Sequence, residues 1–251
     1  MHQLFRESQP DSASPCAYIG RSGGNCPGNP IGEKMEQKPK ISITSKLDGI
    51  RSWSLQALDT CPGSIESPGV LVDACKGCYA TTGNYVFANV KAPREFNRID
   101  WQRVDWCDDM VAELERDRYF RWFDSGDMYS LGLAEKMLEV MQRTPWVKHW
   151  LPTRMHKFPK FAMVLRAMAQ LDNVMVRPSS DSIVGEFISG LHGSVIVPDS
   201  RVNPDMVTLC RAYENEGKCS GCRACYDKSI PVIAYPAHGK KIGKIIRIKL
   251  A

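Results

Sequence analysis

Residues 119–127 read Tyr-Phe-Arg-Trp-Phe-Asp-Ser-Gly-Asp. A short aromatic run stops abruptly at small polar residues. That is the signature of a strand delivering its chain into a turn. Helical stripes lie on both sides of it. Val104, Cys107, Val111 and Leu114 precede it at helical spacing, and Ala134, Met137, Leu138 and Met141 follow. The rhythm then repeats. Residues 147–151 read as a strand ending in Pro-Thr-Arg. Phe158, Phe161, Ala162, Leu165 and Met168 mark a helix. Residues 173–176 and 194–197 read as strands, with a short helix expected around Ile183, Phe187 and Ile188. Strands alternating with helices of this length predict a mostly parallel sheet with right-handed crossovers. The expected fold is α/β, a partial or closed (β/α) barrel carrying cysteine-rich loops, with an open doubly wound sheet as the alternative. No Gly-x-Gly-x-x-Gly follows an early strand, which weakens a dinucleotide-binding version.

Upstream, residues 41–45 and 51–58 alternate as strands, the second with Trp53, Leu55 and Ala57 on one face. A helix is expected from about Thr81 to Arg98, interrupted at Pro93. Downstream, residues 232–235 read as a strand. The basic, alternating tail at 242–250 reads as an edge strand whose lysines discourage edge pairing. The expected division is an irregular arm at 1–39, rich in Ser, Pro, Gly and Asn, then a barrel-like core at 40–205 and a cysteine-rich segment with terminal strands at 206–251.

The chain has 251 residues with a formal charge of +5, 43% hydrophobic and 24% charged residues. These values are ordinary for a globular protein and permit contact with nucleic acid without demanding it. No apolar run reaches the length of a membrane span, and the first residues lack a signal-peptide apolar core. A cytoplasmic protein, without membrane partners, is the expectation. Ten cysteines are many for such a chain. In a reducing compartment, clustered Cys-x-x-Cys spacings point to metal rather than disulfides.

The cysteines fall into two groups. Cys61 precedes Cys75 and Cys78 by a Pro/Gly-rich loop, with thirteen residues between the first two. Thiolates are soft ligands suited to zinc and iron–sulfur clusters. Three of them leave one iron of a four-iron cluster open. The competing reading is a zinc loop completed by Cys16, Cys26 or His238, since structural zinc prefers four closed ligands. Cys210, Cys219, Cys222 and Cys225 form the second group, whose final x2/x2 spacing matches ferredoxin-type four-iron loops. Zinc is the alternative there. Cys107 sits on an apolar helical stripe and reads as core.

Several strand ends carry polar groups: Asp124, Ser125, Gly126 and Asp127; Thr153, Arg154 and His156; Arg177, Ser179, Ser180 and Asp181; Asp199 and Ser200. In β/α barrels such positions face the active site. Ser and Asp there are also common helix caps, and Arg154 and Arg177 suit either a bound anion or a structural ion pair.

A strand, a three-cysteine loop ending Cys-x-x-Cys-Tyr-Ala, strand ends Phe-Asp-Ser-Gly-Asp-Met and Leu-Pro-Thr-Arg, and a late Cys-x-x-Cys-x-x-Cys-Tyr group together resemble the radical-SAM-like proteins of phages and prophages. The resemblance covers about residues 40–238. It implies that Cys61, Cys75 and Cys78 hold a four-iron (4Fe-4S) cluster whose open iron takes S-adenosylmethionine. It further implies reductive cleavage of that molecule and hydrogen abstraction from a substrate. The Ser125-Gly126-Asp127 turn, with Asp124 before it, resembles the glycine-containing turn that holds the amino group, and Arg154 and Ser179 become candidates for carboxylate and ribose. The late cysteines would hold an auxiliary cluster. A reductant such as flavodoxin or ferredoxin would be a partner, and host cytoplasm the location. The sequence departs from the usual Cys-x3-Cys-x2-Cys spacing, lacks the Gly-Gly-Glu turn, and places its aromatic residue, Tyr79, after the last cysteine. A zinc-stabilised nucleic-acid binder without catalysis and an iron–sulfur redox protein are the alternatives. Substrate and oligomeric state are not legible.

Overall fold

The computed structural model describes residues 37–198, 207–238 and 240–250. Cys16, Cys26, Asp199 and Ser200, and the expected boundary at 205/206, lie outside them. In chain order, β1 (Ile41–Ile43) and β2 (Arg51–Trp53) precede a small hairpin, β3 (Ile65–Ser67) and β4 (Val70–Leu71), and the one-turn α1 (Asp73–Lys76). Next come α2 (Ala88–Asp100), α3 (Trp106–Glu113), β5 (Tyr119–Trp122), α4 (Leu131–Arg143), β6 (Lys148–Thr153), α5 (Ala162–Gln170) and β7 (Val174–Pro178). Then follow β8 (Gly193–Val197), β9 (Thr208–Leu209), β10 (Val232–Pro236) and α6 (Lys240–Leu250).

The main sheet runs β1-β2-β5-β6-β7. Only β1 is antiparallel; β2, β5, β6 and β7 pair in parallel. A second sheet, β8-β10-β9, is parallel throughout. The two meet where Ser179 bridges Ser194 and the Ser180 N–H donates to the Ser194 carbonyl at 2.9 Å. The alternating reading of the sequence therefore holds as a mixed α/β fold with a mostly parallel central sheet. The barrel does not: the sheet is not closed. Closure needs a full ring of strands with matched tilt and stagger. Here β1 turns antiparallel at one edge and β9 is two residues long at the other.

The strand pleat sorts residues onto two faces. Phe120 and Trp122 of β5, Leu151 of β6, and Val174 and Val176 of β7 pack with Trp106 and Met110 of α3, Met137 and Met141 of α4, and Leu165 and Met168 of α5. Each fully buried side chain of this kind contributes roughly 1.5–3 kcal/mol. α4 starts cleanly because the Ser130 hydroxyl accepts the Leu133 N–H at 3.3 Å. One polar chain crosses this core. Trp122 Nε1–H donates to His149 Nδ1 at 3.3 Å, so the other ring nitrogen carries the proton and meets Thr144 Oγ1 at 2.9 Å. Thr144 in turn donates to the Val140 carbonyl at 2.7 Å. The opposite face holds Tyr119 and Trp150, packed with Leu47, Ile50, Tyr226, Tyr235, Cys219 and Cys225.

Three local expectations need correction. The tail is helix α6, not an edge strand. Its isoleucines also recur at i, i+3 and i+4, and Ile242 and Ile246 are buried against Ala74 and Ile183. Short apolar runs carry both periods, and tertiary packing decided between them. The short helix around Ile183 is absent. There the Ser180 hydroxyl accepts the Ser182 N–H, the Ser182 hydroxyl accepts those of Val184 and Glu186, and Gly185 has φ +96°. Such side-chain bonds compete with helix formation. Finally, α2 begins at Ala88, after two 3-10 turns, and runs through Pro93 without ending.

Candidate metal and cofactor site

The first cysteine group sits where the parallel strands end. Beyond β2 and β5 the two chains stay paired, Phe123 N–H to the Trp53 carbonyl at 2.8 Å and Leu55 N–H to that of Ser125 at 3.0 Å. The chain then turns at Leu58, with φ +69°, into Cys61. The long gap to Cys75 has a simple origin. The β3–β4 hairpin is an excursion, pinched off at its base where the Val72 N–H donates to the Ser64 carbonyl at 2.9 Å. This brings α1, with Cys75, back towards Cys61. The Cys-x-x-Cys turn closes with Cys78 N–H on the Cys75 carbonyl at 3.1 Å. The loop is pressed onto the strand ends. A Cβ on Gly63 would stand 2.5 Å from Arg154 Cβ, and Ala74 N–H donates to the Asp181 carbonyl at 3.0 Å.

Cys61, Cys75 and Cys78 lie within electrostatic reach of one another. Burial pushes the Cys61 thiol up to about 12, and Asp127 and the other two thiols add to it. Burial also raises Cys75, while Arg154 and Lys157 pull it back. Those two cations flank the Asp181 carboxylate, at 3.1 and 2.6 Å. Among the described residues, no three His, Cys, Asp or Glu side chains stand as a ligand group for a single metal ion.

The strand-end residues Asp124, Ser125, Gly126, Asp127, Arg154 and Ser179 are brought to this same end, and most are already engaged. Ser125 donates to the Leu55 carbonyl at 2.7 Å and accepts from Arg94 at 2.6 Å. Gly126 has φ +82°, and a Cβ there would lie 2.6 Å from Leu55 Cβ. Asp127 accepts from Met128 N–H, Thr153 Oγ1 and Arg154 N–H, each at 2.8 Å. Burial still lifts it to about 6 against those bonds. Ser179 Oγ accepts from Ser194 at 3.3 Å. Arg154 takes the ion-pair role, on Asp181. Arg177 takes neither of its expected roles. It is fully buried and donates to the carbonyls of Ala224, Cys225, Asp227 and Ile230 at 2.9–3.1 Å.

The second cysteine group lies where the strands begin. Cys219 N–H donates to the Lys46 carbonyl at 2.9 Å, just before β2. Asp48 receives Ser220 N–H, Gly221 N–H and Arg223 at 2.8–3.1 Å. Tyr226 packs edge-on against Tyr119, the first residue of β5, at 5.1 Å. Cys210, Cys219, Cys222 and Cys225 all line one cavity of about 390 Å³, with Tyr226, Arg211 and Arg223 on its wall. Burial lifts Cys219 to about 11, with the neighbouring thiols adding to it. Cys225 Sγ lies 3.2 Å from the Tyr235 hydroxyl.

Between the groups runs a polar seam that sequence reading missed. Arg121 pairs with Asp124 at 2.9 Å, reaches the Tyr79 hydroxyl at 3.4 Å, and stacks over Trp150 at 4.7 Å. Tyr85 also donates to Asp124. Arg121 Nε, Trp150 Nε1 and the Tyr226 hydroxyl are buried and have no hydrogen-bond partner among the described residues. The available signal was an arginine alternating with buried aromatics in Tyr-Phe-Arg-Trp.

The family model described as Gene product 88 matches residues 31–247. The chain belongs to the Gene product 88 family. This agrees with the phage-type character expected from the resemblance, and adds nothing for a relationship to radical SAM proteins. The searches of curated proteins and of solved structures gave no match. No helix among the described residues is long and apolar enough to cross a membrane.

Proposed function

We propose that this Gene product 88 protein is an iron–sulfur, radical-SAM-like enzyme. Cys61, Cys75 and Cys78 would hold a four-iron cluster at the C-terminal ends of the strands, and Cys210, Cys219, Cys222 and Cys225 a second one at the opposite end. The observation that carries the cluster reading is the cavity of about 390 Å³ with all four late thiols on its wall. That is room for an inorganic cluster, not merely one ion. The Tyr226 hydroxyl beside it, without a hydrogen-bond partner among the described residues, is a donor suited to a cluster's sulfides. At the first group, Arg154 and Lys157 offset the charge that gathered thiolates would carry. Three thiolates leave one iron open, and S-adenosylmethionine bound there would supply a 5′-deoxyadenosyl radical on reduction by a flavodoxin- or ferredoxin-like partner. This chain would contribute the backbone of the 124–127 turn, since the Ser125 and Asp127 side chains are engaged within the fold.

Anaerobic reconstitution tests the reading. The protein should turn brown and bind iron and sulfide at both groups. Replacing Cys61, Cys75 and Cys78 by alanine should remove one cluster, and replacing the four late cysteines the other. S-adenosylmethionine should change the electron paramagnetic resonance spectrum of the parent and not that of the first variant. Colourless protein loaded with zinc would overturn the cluster assignment, and cluster-loaded protein that never yields 5′-deoxyadenosine would overturn the enzymatic one.

A further inference from the structure

We infer that α6, with the Tyr213–His238 pair beside it, is a docking surface for single-stranded nucleic acid. The helix reads Lys-Lys-Ile-Gly-Lys-Ile-Ile-Arg-Ile-Lys-Leu and contains no acidic residue. Its two sides differ. Ile242 and Ile246 are buried against Ala74 and Ile183, and Lys249 on that flank pairs with Asp73. Lys241, Lys244 and Arg247 are exposed. At 100° per residue they fall within about one third of the helix circumference, on the side away from the packed isoleucines. A row of cations with no interleaved acid complements a phosphodiester backbone.

A second, separate feature includes His238, two residues before the start of the helix. Tyr213 is 67% exposed, and its ring stacks on the exposed His238 at 5.7 Å between centroids and 29° between planes. Its loop carries Glu214 and Glu216 as well as Arg211 and Lys218, so it offers stacking surface rather than net charge. Exposed rings next to a cationic track are how single strands are held without sequence preference, because every base presents a π-face. The helix that carries this row packs on the first cysteine loop through its other, buried side: a Cβ on Gly77, within the Cys-x-x-Cys turn, would stand 3.0 Å from Ile242 Cβ. That the bound strand is also substrate rests on the enzymatic reading; the binding does not.

Fluorescence anisotropy with a labelled oligothymidine and the full chain tests the inference. With three phosphate contacts, the slope of log K against log salt is about −2 for a single strand, so affinity falls roughly 20-fold from 50 to 200 mM salt. The combined Lys241→Gln, Lys244→Gln and Arg247→Gln variant should lose that salt dependence. Tyr213→Ala should weaken binding about ten-fold with the slope unchanged. Lys160→Gln with Arg166→Gln, on the α5 side, should bind like the parent. Unaltered binding by the triple variant would overturn the proposal, and so would capture of phosphatidylserine vesicles with no binding of the oligonucleotide. The iron content of the triple variant should equal the parent's, which separates failure here from failure of the cluster reading.

Discussion

Arg177 joins the sheet to the second cysteine loop, and its replacement by methionine should cost both stability and metal. The guanidinium is wholly buried on β7 and meets four carbonyls of residues 224–230 at 2.9–3.1 Å. Hydrogen bonds from a charged donor are worth roughly 1.5–3 kcal/mol each, yet they are not additive. The carbonyls left behind belong to half-buried and exposed residues, so water repairs part of the loss. Methionine fills the space without stranding a charge. Set against the desolvation that the buried guanidinium no longer suffers, the bonds leave a net loss of about 1.5–3 kcal/mol, a sizeable part of a typical total stability of about 5–15 kcal/mol. Arg177→Met should therefore lower the urea midpoint by that amount divided by the m-value. Because Cys225 is held through its own carbonyl, the proposed two-cluster reading expects iron bound after reconstitution to fall by about half, the first group keeping its share. Arg177→Lys keeps one donor group without the fork, and should fall in between. A methionine variant with the parent's midpoint and full iron content would show that the loop is held by something else.

Gly126→Ala should cost about 2–4 kcal/mol, from the positive φ and a Cβ 2.6 Å from Leu55 Cβ; a thermal midpoint within a degree of the parent's would refute the tight-turn argument. His149 is held neutral by burial, its pKa lowered from 6.5 to about 3. The unfolded chain therefore takes up the proton first, and stability drains as pH falls from about 6.5 towards 3, by on the order of 5 kcal/mol. Chemical denaturation at several pH values should show that acid loss in the parent and much less of it in His149→Gln; parallel profiles would exclude His149 as the cause. Replacing residues 65–71 by two glycines should leave stability within about 1 kcal/mol and iron binding at the first group intact, because Ser64 and Val72 already meet at 2.9 Å. Loss of that iron would mean that the hairpin shapes the site.

Much of the architecture was legible residue by residue. The aromatic strand at 119–122, the Met and Leu stripe of α4, and the strands at β6, β7, β8 and β10 all announce themselves by period and by the polar residues that end them. The placement of the Cys61 loop at the strand ends followed from the strand before it. Harder to read was anything set by contacts distant in sequence. Arg177 was weighed as an anion ligand or an ion-pair partner, and only the return of residues 224–230 beneath β7 makes it a clamp on carbonyls. The seam through Arg121, Tyr79 and Trp150 joins residues from three separate elements.

Local chemistry thus determined the parallel α/β layers, the two thiol groups and the polar strand ends, because hydrophobic period and ligand spacing are properties of neighbouring residues. Tertiary structure decided the rest. It left the sheet open, since β1 runs antiparallel and β9 is too short to close a ring. It turned the isoleucine-rich tail into α6, since Ala74 and Ile183 offered a helix its apolar face. It reduced the thirteen-residue gap after Cys61 to a pinched hairpin, through one backbone hydrogen bond between residues eight apart. In each case the deciding energy is a contact with a distant partner, which no local pattern encodes.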